Sequence, residues 1–158
     1  MKVQIYWRRY VLVGAGVLVA LAVLIQLIPV TRDNPPTKAE PAWTSAEVRS
    51  IAEKACFDCH SNKTDWPWYS KIAPISWRVA GHVHEGREYL NFSEWDNNNE
   101  GDELVEVVQE GEMPPWDYRL MHPNARLTDK EKDLLMAEFA ALSDGHQSDD
   151  SPEEKDND

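Results

Sequence analysis

The sequence predicts an all-α domain behind a single membrane-spanning helix. Three observations carry that expectation. The run "VLVGAGVLVALAVLIQLIPV", Val11–Val30, holds no charged residue. Four later segments read as helices, three of them with apolar residues on one helical face, and no segment alternates convincingly as a half-buried strand does. Two loops, "SNKTDWPWYSKIA" and "MPPWDYRLMHPNARL", are long for so small a domain, which implies that something besides the chain holds them.

As a helix rising 1.5 Å per residue, the apolar run covers roughly 30 Å, the thickness of a bilayer core. Trp7 and Tyr10 precede it, where an interfacial aromatic belt lies. Lys2, Arg8 and Arg9 place the N-terminus in the cytoplasm, a bias that Arg32 and Lys38 beyond the run weaken. A cleaved signal peptide is the rival. The run is long for one, and "LIPVTRDN" offers no small-x-small cleavage site. The expected organisation is residues 1–9 cytoplasmic and 10–30 the anchor. Residues 31–42 form an extended proline-rich linker, 43–142 the folded domain and 143–158 a disordered acidic tail.

The four helices follow in order. The first covers about Ser45–Ala55, capped by Thr44 or Ser45, with Val48, Ile51, Ala52 and Ala55 on one face. The second covers about Ile75–Leu90, with Pro74 at its start. The third covers about Asp102–Glu110, with Leu104, Val107 and Val108 apolar and Gly111 its stop. The fourth begins after Thr128, where "TDKE" is a capping box, and carries Leu135, Phe139 and Leu142 on one face.

A formal charge of −12 over 158 residues argues against nucleic acid as a partner, since phosphate binding needs clustered Lys and Arg. It suits a neutral or basic partner, here a redox protein. The only cysteines lie in "ACFDCH", Ala55–His60. This is the C-x-x-C-H attachment pattern of c-type haem. Two intervening residues let one turn of chain bridge the two thioether positions, and the next residue can reach the iron from the same side. Cys56 and Cys59 are the expected covalent links and His60 the proximal ligand. A redox dithiol would follow a strand in an α/β fold, whereas a helix precedes this motif. A zinc site needs four ligands, and no second pair has zinc-like spacing. A disulfide across so short a loop stabilises little.

The sixth iron position is open between two candidates. Met113 lies in "GEMPPW", a loop that its prolines stiffen and that could present a soft thioether. His82, on the side of Ile75, Val79 and Gly86 of its helix, is the alternative, whereas His84 should face solvent. Met121, Met136, His122 and His146 fit ordinary positions better. Trp66, Pro67, Trp68 and Tyr69 could pack on a porphyrin edge or fill an ordinary core. Arg78 and Arg87 are both candidates for a propionate.

The stretches "CFDCHSNKTDWPWYSKIAPISW", "HVHEGREYLNFSEW", "GEMPPW" and "HPNARLTDKEK" together resemble the bacterial haem-binding domain family of small, membrane-anchored c-type cytochromes. The resemblance covers about Trp43–Leu142. It implies a cytochrome c-like fold around one covalent haem c, with Cys56, Cys59 and His60 at the haem. Met113 matches the general Met-Pro loop of cytochrome c, and the first and last helices of the domain would cross near the haem. The expected activity is electron transfer between redox partners near the bacterial inner membrane, with the domain on the periplasmic side, rather than enzymatic turnover. The alternative is a sensor of gas or peroxide, or a weak peroxidase, with an open or labile sixth position.

Overall fold

The computed structural model describes residues 2–95 and 101–147, with side chains at 6–95 and 103–142. Among the described residues there are seven α-helices and no strand; Ala39 and Glu94 form one isolated parallel bridge. The helices are α1 (Lys2–Ile25), α2 (Ala46–Ala55), α3 (Phe57–His60), α4 (Ile75–Tyr89), α5 (Gly101–Gln109), α6 (Trp116–Met121) and α7 (Asp129–Gln147). Two 3₁₀ turns, Trp68–Lys71 and Pro123–Ala125, interrupt the loops. The all-α expectation therefore holds, with two short helices, α3 and α6, beyond the four read from the sequence. Each is too short to show a repeat. α7 continues to Gln147, past Ser143, where the acidic tail was expected to begin. Residues 148–158 and His146's side chain lie outside what is described.

The chain divides into two compact units, Met1–Arg32 with Trp66–His82, and Asp33–Asp65 with Val83 onward. In the first, the side chains of α1 from Tyr6 to Leu24 are exposed, and they are apolar from Val11 on. Its segment Tyr6–Ile25 is long and apolar enough to span a membrane. Gln26 follows, and its side chain pairs with one backbone unit in both directions: Nε2 donates to Ala73 O (3.1 Å) and Oε1 accepts from Ala73 N (3.0 Å).

The second unit holds the aromatic core. The α2 face Val48, Ile51 and Ala52 packs with Phe57, Leu90, Phe92, Val108, Leu135 and Phe139, and α7 lies against both α5 and α2. Phe92 is its centre. It stacks on Phe57 (5.4 Å, 23°), on Trp95 (5.9 Å, 8°) and on Phe139 (6.1 Å, 15°). Full burial of such a ring contributes about 1.5–3 kcal/mol, and each ring pair about 0.5–1.5 more. Three dispersed segments of sequence are thereby fixed on one another.

The helix ends follow their sequence signals. Ser45 caps α2, its Oγ accepting from Val48 N at 3.2 Å. Thr44 instead donates its N–H to buried Glu138 (2.8 Å), with a second bond from its hydroxyl. Gly111 ends α5 with φ +76°, a left-handed conformation that favours glycine. Thr128 and Glu131 form a reciprocal capping box: Thr128 N donates to Glu131 Oε2 at 2.8 Å, and Glu131 N to Thr128 Oγ1 at 3.3 Å. The proline-rich stretch after Arg32 is extended, as its composition suggests, and is docked. Lys38 N donates to Ser93 O at 2.8 Å, and Glu40 accepts from both Arg49 and Lys63.

Glu131 also accepts from Lys54, and that bond, with the capping N–H of Thr128, holds its carboxyl down at about 2. A carboxylate lowered in the folded state stabilises above its unfolded pKa and loses that contribution as pH falls through the folded value. The window therefore runs from the ordinary 4.5 down to about 2. Between pH 5 and pH 3 the wild-type melting temperature should fall more than that of Glu131→Gln. The difference is under about 1 kcal/mol because the pair is at the surface. Parallel melting curves with equal slopes would remove the effect.

Candidate functional site

α2 stops at Ala55 because Cys56 leaves helical geometry (φ −124°, ψ −36°). The single turn α3 restarts at once. Cys59 N and His60 N both donate to Cys56 O, at 3.1 and 2.9 Å. Phe57 points into the core, which fixes how the turn is rotated. The three motif side chains Cys56, Cys59 and His60 are then half-buried together.

His60 is oriented by α4. Its Nδ1 lies 2.8 Å from Gly86 O and 3.2 Å from Leu90 O. Carbonyls only accept, so Nδ1 carries the proton and donates it. Nε2 keeps its lone pair. Burial pushes the imidazole below its ordinary pKa, against the opposing pull of the two carbonyls. A neutral histidine with one nitrogen fixed by backbone and the other available is the arrangement of a metal-ligating imidazole. Phe92 N closes the loop by donating to His60 O at 2.8 Å.

Gly86 is where α4 meets the motif. A Cβ there would sit 2.7 Å from Cys59 O. The residues after the motif are held by a buried amide relay. Asn91 Nδ2 donates to Asn62 Oδ1 (2.9 Å), and Asn62 N donates to Ser93 Oγ (3.0 Å). Arg87 sits beside them, Nε donating to Ser61 O (2.8 Å) and Nη2 to Thr64 Oγ1 (2.9 Å) and Asn34 Oδ1 (3.1 Å). Of the two propionate candidates, Arg87 is thus a structural tie; Arg78 is exposed in the first unit.

Both cysteines are free. Burial pushes the Cys56 thiol up to about 12 and, with help from Asp58 and Asp117, the Cys59 thiol up to about 11. A redox dithiol needs a thiolate, and this environment opposes one. Among the described residues no group of three or more His, Cys, Asp or Glu could hold a bare metal ion, so a zinc centre lacks its ligands.

Met113 lies between α5 and α6, its N–H bonded to Val107 O at 3.2 Å. Its side chain lines a cavity of about 380 Å³ with Pro114 and Leu120, and with Arg119, Arg126 and Lys132. The same segment is tied to the motif. Tyr118 on α6 donates its hydroxyl to Asp58 Oδ2 at 2.6 Å, and Asp58 stands between the two cysteines. Asp58 Oδ1 also accepts from Asp65 N at 2.9 Å. The second unit thus contains Met113 as well as Cys56, Cys59 and His60, whereas His82 is half-buried in the first. His84 is exposed beside Glu88, as its helical position implied. Trp68 points outward, away from any core.

Sequence reasoning missed Gly86, Leu90, Asp58 and Tyr118. Gly86 carried a signal, a glycine inside a helical pattern. Leu90 carried none, because it acts through its carbonyl.

These features define a helical domain with an oriented, neutral histidine beside two half-buried thiols and a separate thioether loop. The family model described as a haem-binding domain matches residues 20–141. The chain belongs to that family, and haem is its cofactor. No curated protein and no solved structure gives a match.

Proposed function

We propose that this chain is a mono-haem c-type cytochrome, anchored in a membrane by α1, that carries electrons. The observation that carries the reading is His60. Its Nδ1 is held by Gly86 and Leu90, which leaves Nε2 for the iron directly after Cys56 and Cys59. The free, half-buried cysteines fit covalent attachment. A thioether has no titratable proton, so the burial that opposes a thiolate does not oppose it. Trp43 Nε1, a buried donor with no acceptor among the described residues, is available to a bound acceptor.

When bound, haem supplies a one-electron iron couple. The chain's own part is to hold and shield it. The carbonyls of Gly86 in α4 and of Leu90 just after it orient the imidazole. The Tyr118–Asp58 bond holds the Met113 loop to the attachment motif. Met113 would hold the iron through its thioether together with His60, and an iron held by both residues would favour electron transfer over substrate binding. Lys2, Arg8 and Arg9, in the first turns of α1 and ahead of its apolar run, favour a domain outside the cytoplasm, on the periplasmic side in a bacterium, where c-type haem is attached. The net charge of −12 would steer a basic redox partner.

Absorption spectroscopy of the ferric protein tests the ligand. A Met-ligated ferric haem has a weak sulfur-to-iron band at the red edge of the spectrum. Wild type should show it and Met113→Ala should lose it entirely. If the band persists in that variant, or is absent from wild type, Met113 is not the ligand. Immediate carbon monoxide binding by the reduced wild type would transfer the reading to a sensor with an open iron position.

A further inference from the structure

The stretch Trp66–His82 is built inside out. Its small residues Ser70, Ala73 and Ser76 are buried, whereas Trp68 (71%), Ile75 (50%), Ile72 (44%) and Trp77 (38%) are exposed. In a water-facing loop those positions would be reversed. The charge is also inverted. In a chain of net charge −12, residues 66–82 contain Lys71, Arg78 and His82 and no Asp or Glu.

This stretch shares a compact unit with α1. The membrane-length segment of α1 ends at Ile25. Gln26, the next residue, grips the Ala73 backbone by two bonds, and Arg32 Nη1 donates to Ser70 O at 2.9 Å. A helix crossing from Tyr6 puts Gln26 at the far boundary of a roughly 30 Å hydrocarbon layer. Ala73 is therefore held at the same depth. Tryptophan and isoleucine with nearby Lys and Arg are what that boundary favours: rings at headgroup level and basic groups among the phosphates.

We infer that Trp66–His82 is a second membrane-contacting element, seated in the lipid interface beside the end of α1, with Trp68, Ile72, Ile75 and Trp77 against the acyl boundary and Lys71 among anionic headgroups. This rests on α1 being an uncleaved anchor, as proposed above.

The full chain, reconstituted in nanodiscs of phosphatidylcholine and phosphatidylglycerol, tests it. The photo-crosslinker p-benzoylphenylalanine is placed in turn at Val17, Trp68, Trp77 and exposed Glu53 of α2, and lipid adducts are read by intact mass. Adducts at Trp68 and Trp77 should approach the Val17 yield and exceed the Glu53 yield by about fivefold or more. If Val17 forms adducts while Trp68 and Trp77 match Glu53, or crosslink to a second copy of the chain, the interfacial element is wrong and the anchor stands. If Val17 forms none, the anchor reading falls and the inference falls with it.

Discussion

The double substitution Cys56→Ser, Cys59→Ser will yield a protein whose haem is removed by acidified organic solvent and whose intact mass is that of the polypeptide alone. Wild type matured in cells competent for haem attachment will carry one haem that resists the same treatment. The difference would be complete because, in the proposed attachment, coordination by His60 is reversible and the two thioethers are not. Either single variant will keep one link. The double variant will also melt at lower temperature. Holding a group only in the folded state adds stability by mass action, and weaker holding adds less. Serine hydroxyls in place of these half-buried thiols cost at most about 1–3 kcal/mol each where they find no partner. That part shows equally in haem-free protein, so comparing loaded and haem-free forms separates the two causes. A wild-type protein that releases its haem to the solvent would retain the family's cofactor and lose the c-type attachment.

The motif and the helices that bracket it were legible in the sequence because their signals are local. Ser45, Gly111 and the Thr128–Glu131 box act within one turn of chain, and Val48, Ile51 and Ala52 mark a face by spacing alone. The parts that orient the site were not legible. His60 is held by the carbonyls of Gly86 and Leu90, about thirty residues away, and any residue type at Leu90 would present the same oxygen. Asp58 and Tyr118 meet across sixty positions through a six-residue helix too short to show a period. The side of the second helix that carries Ile75, Val79, His82 and Gly86 is not covered evenly along its length. Gly86 packs on Cys59, whereas Ile75 is exposed. Helical spacing identifies one side of a helix and does not say what covers it, and α4 runs from one compact unit into the other.

The same helix supplies the sharpest structural test of the site, since it carries two glycines with opposite expectations. At Gly81 a Cβ meets nothing within 4 Å. Gly81→Ala should raise the melting temperature, because alanine is favoured over glycine in a helix interior by about 0.5–1 kcal/mol. At Gly86 the Cβ would lie 2.7 Å from Cys59 O and 3.1 Å from Cys59 C and Cβ. The nearest of those atoms are backbone and cannot swing aside, so α4 and the motif must separate. Overpacking of this kind costs about 1–3 kcal/mol, which outweighs the helix-propensity gain. The separation also stretches the 2.8 Å bond from His60 Nδ1 to Gly86 O, loosening the group that fixes the imidazole. Gly86→Ala should therefore melt below wild type and, once loaded, show altered ferric axial-ligand bands, which Gly81→Ala leaves unchanged. Two substitutions of identical chemistry, five residues apart on one helix, would differ only in what each methyl meets. A shift of both in the same direction would mean that close approach of α4 to the motif is not what requires glycine at position 86.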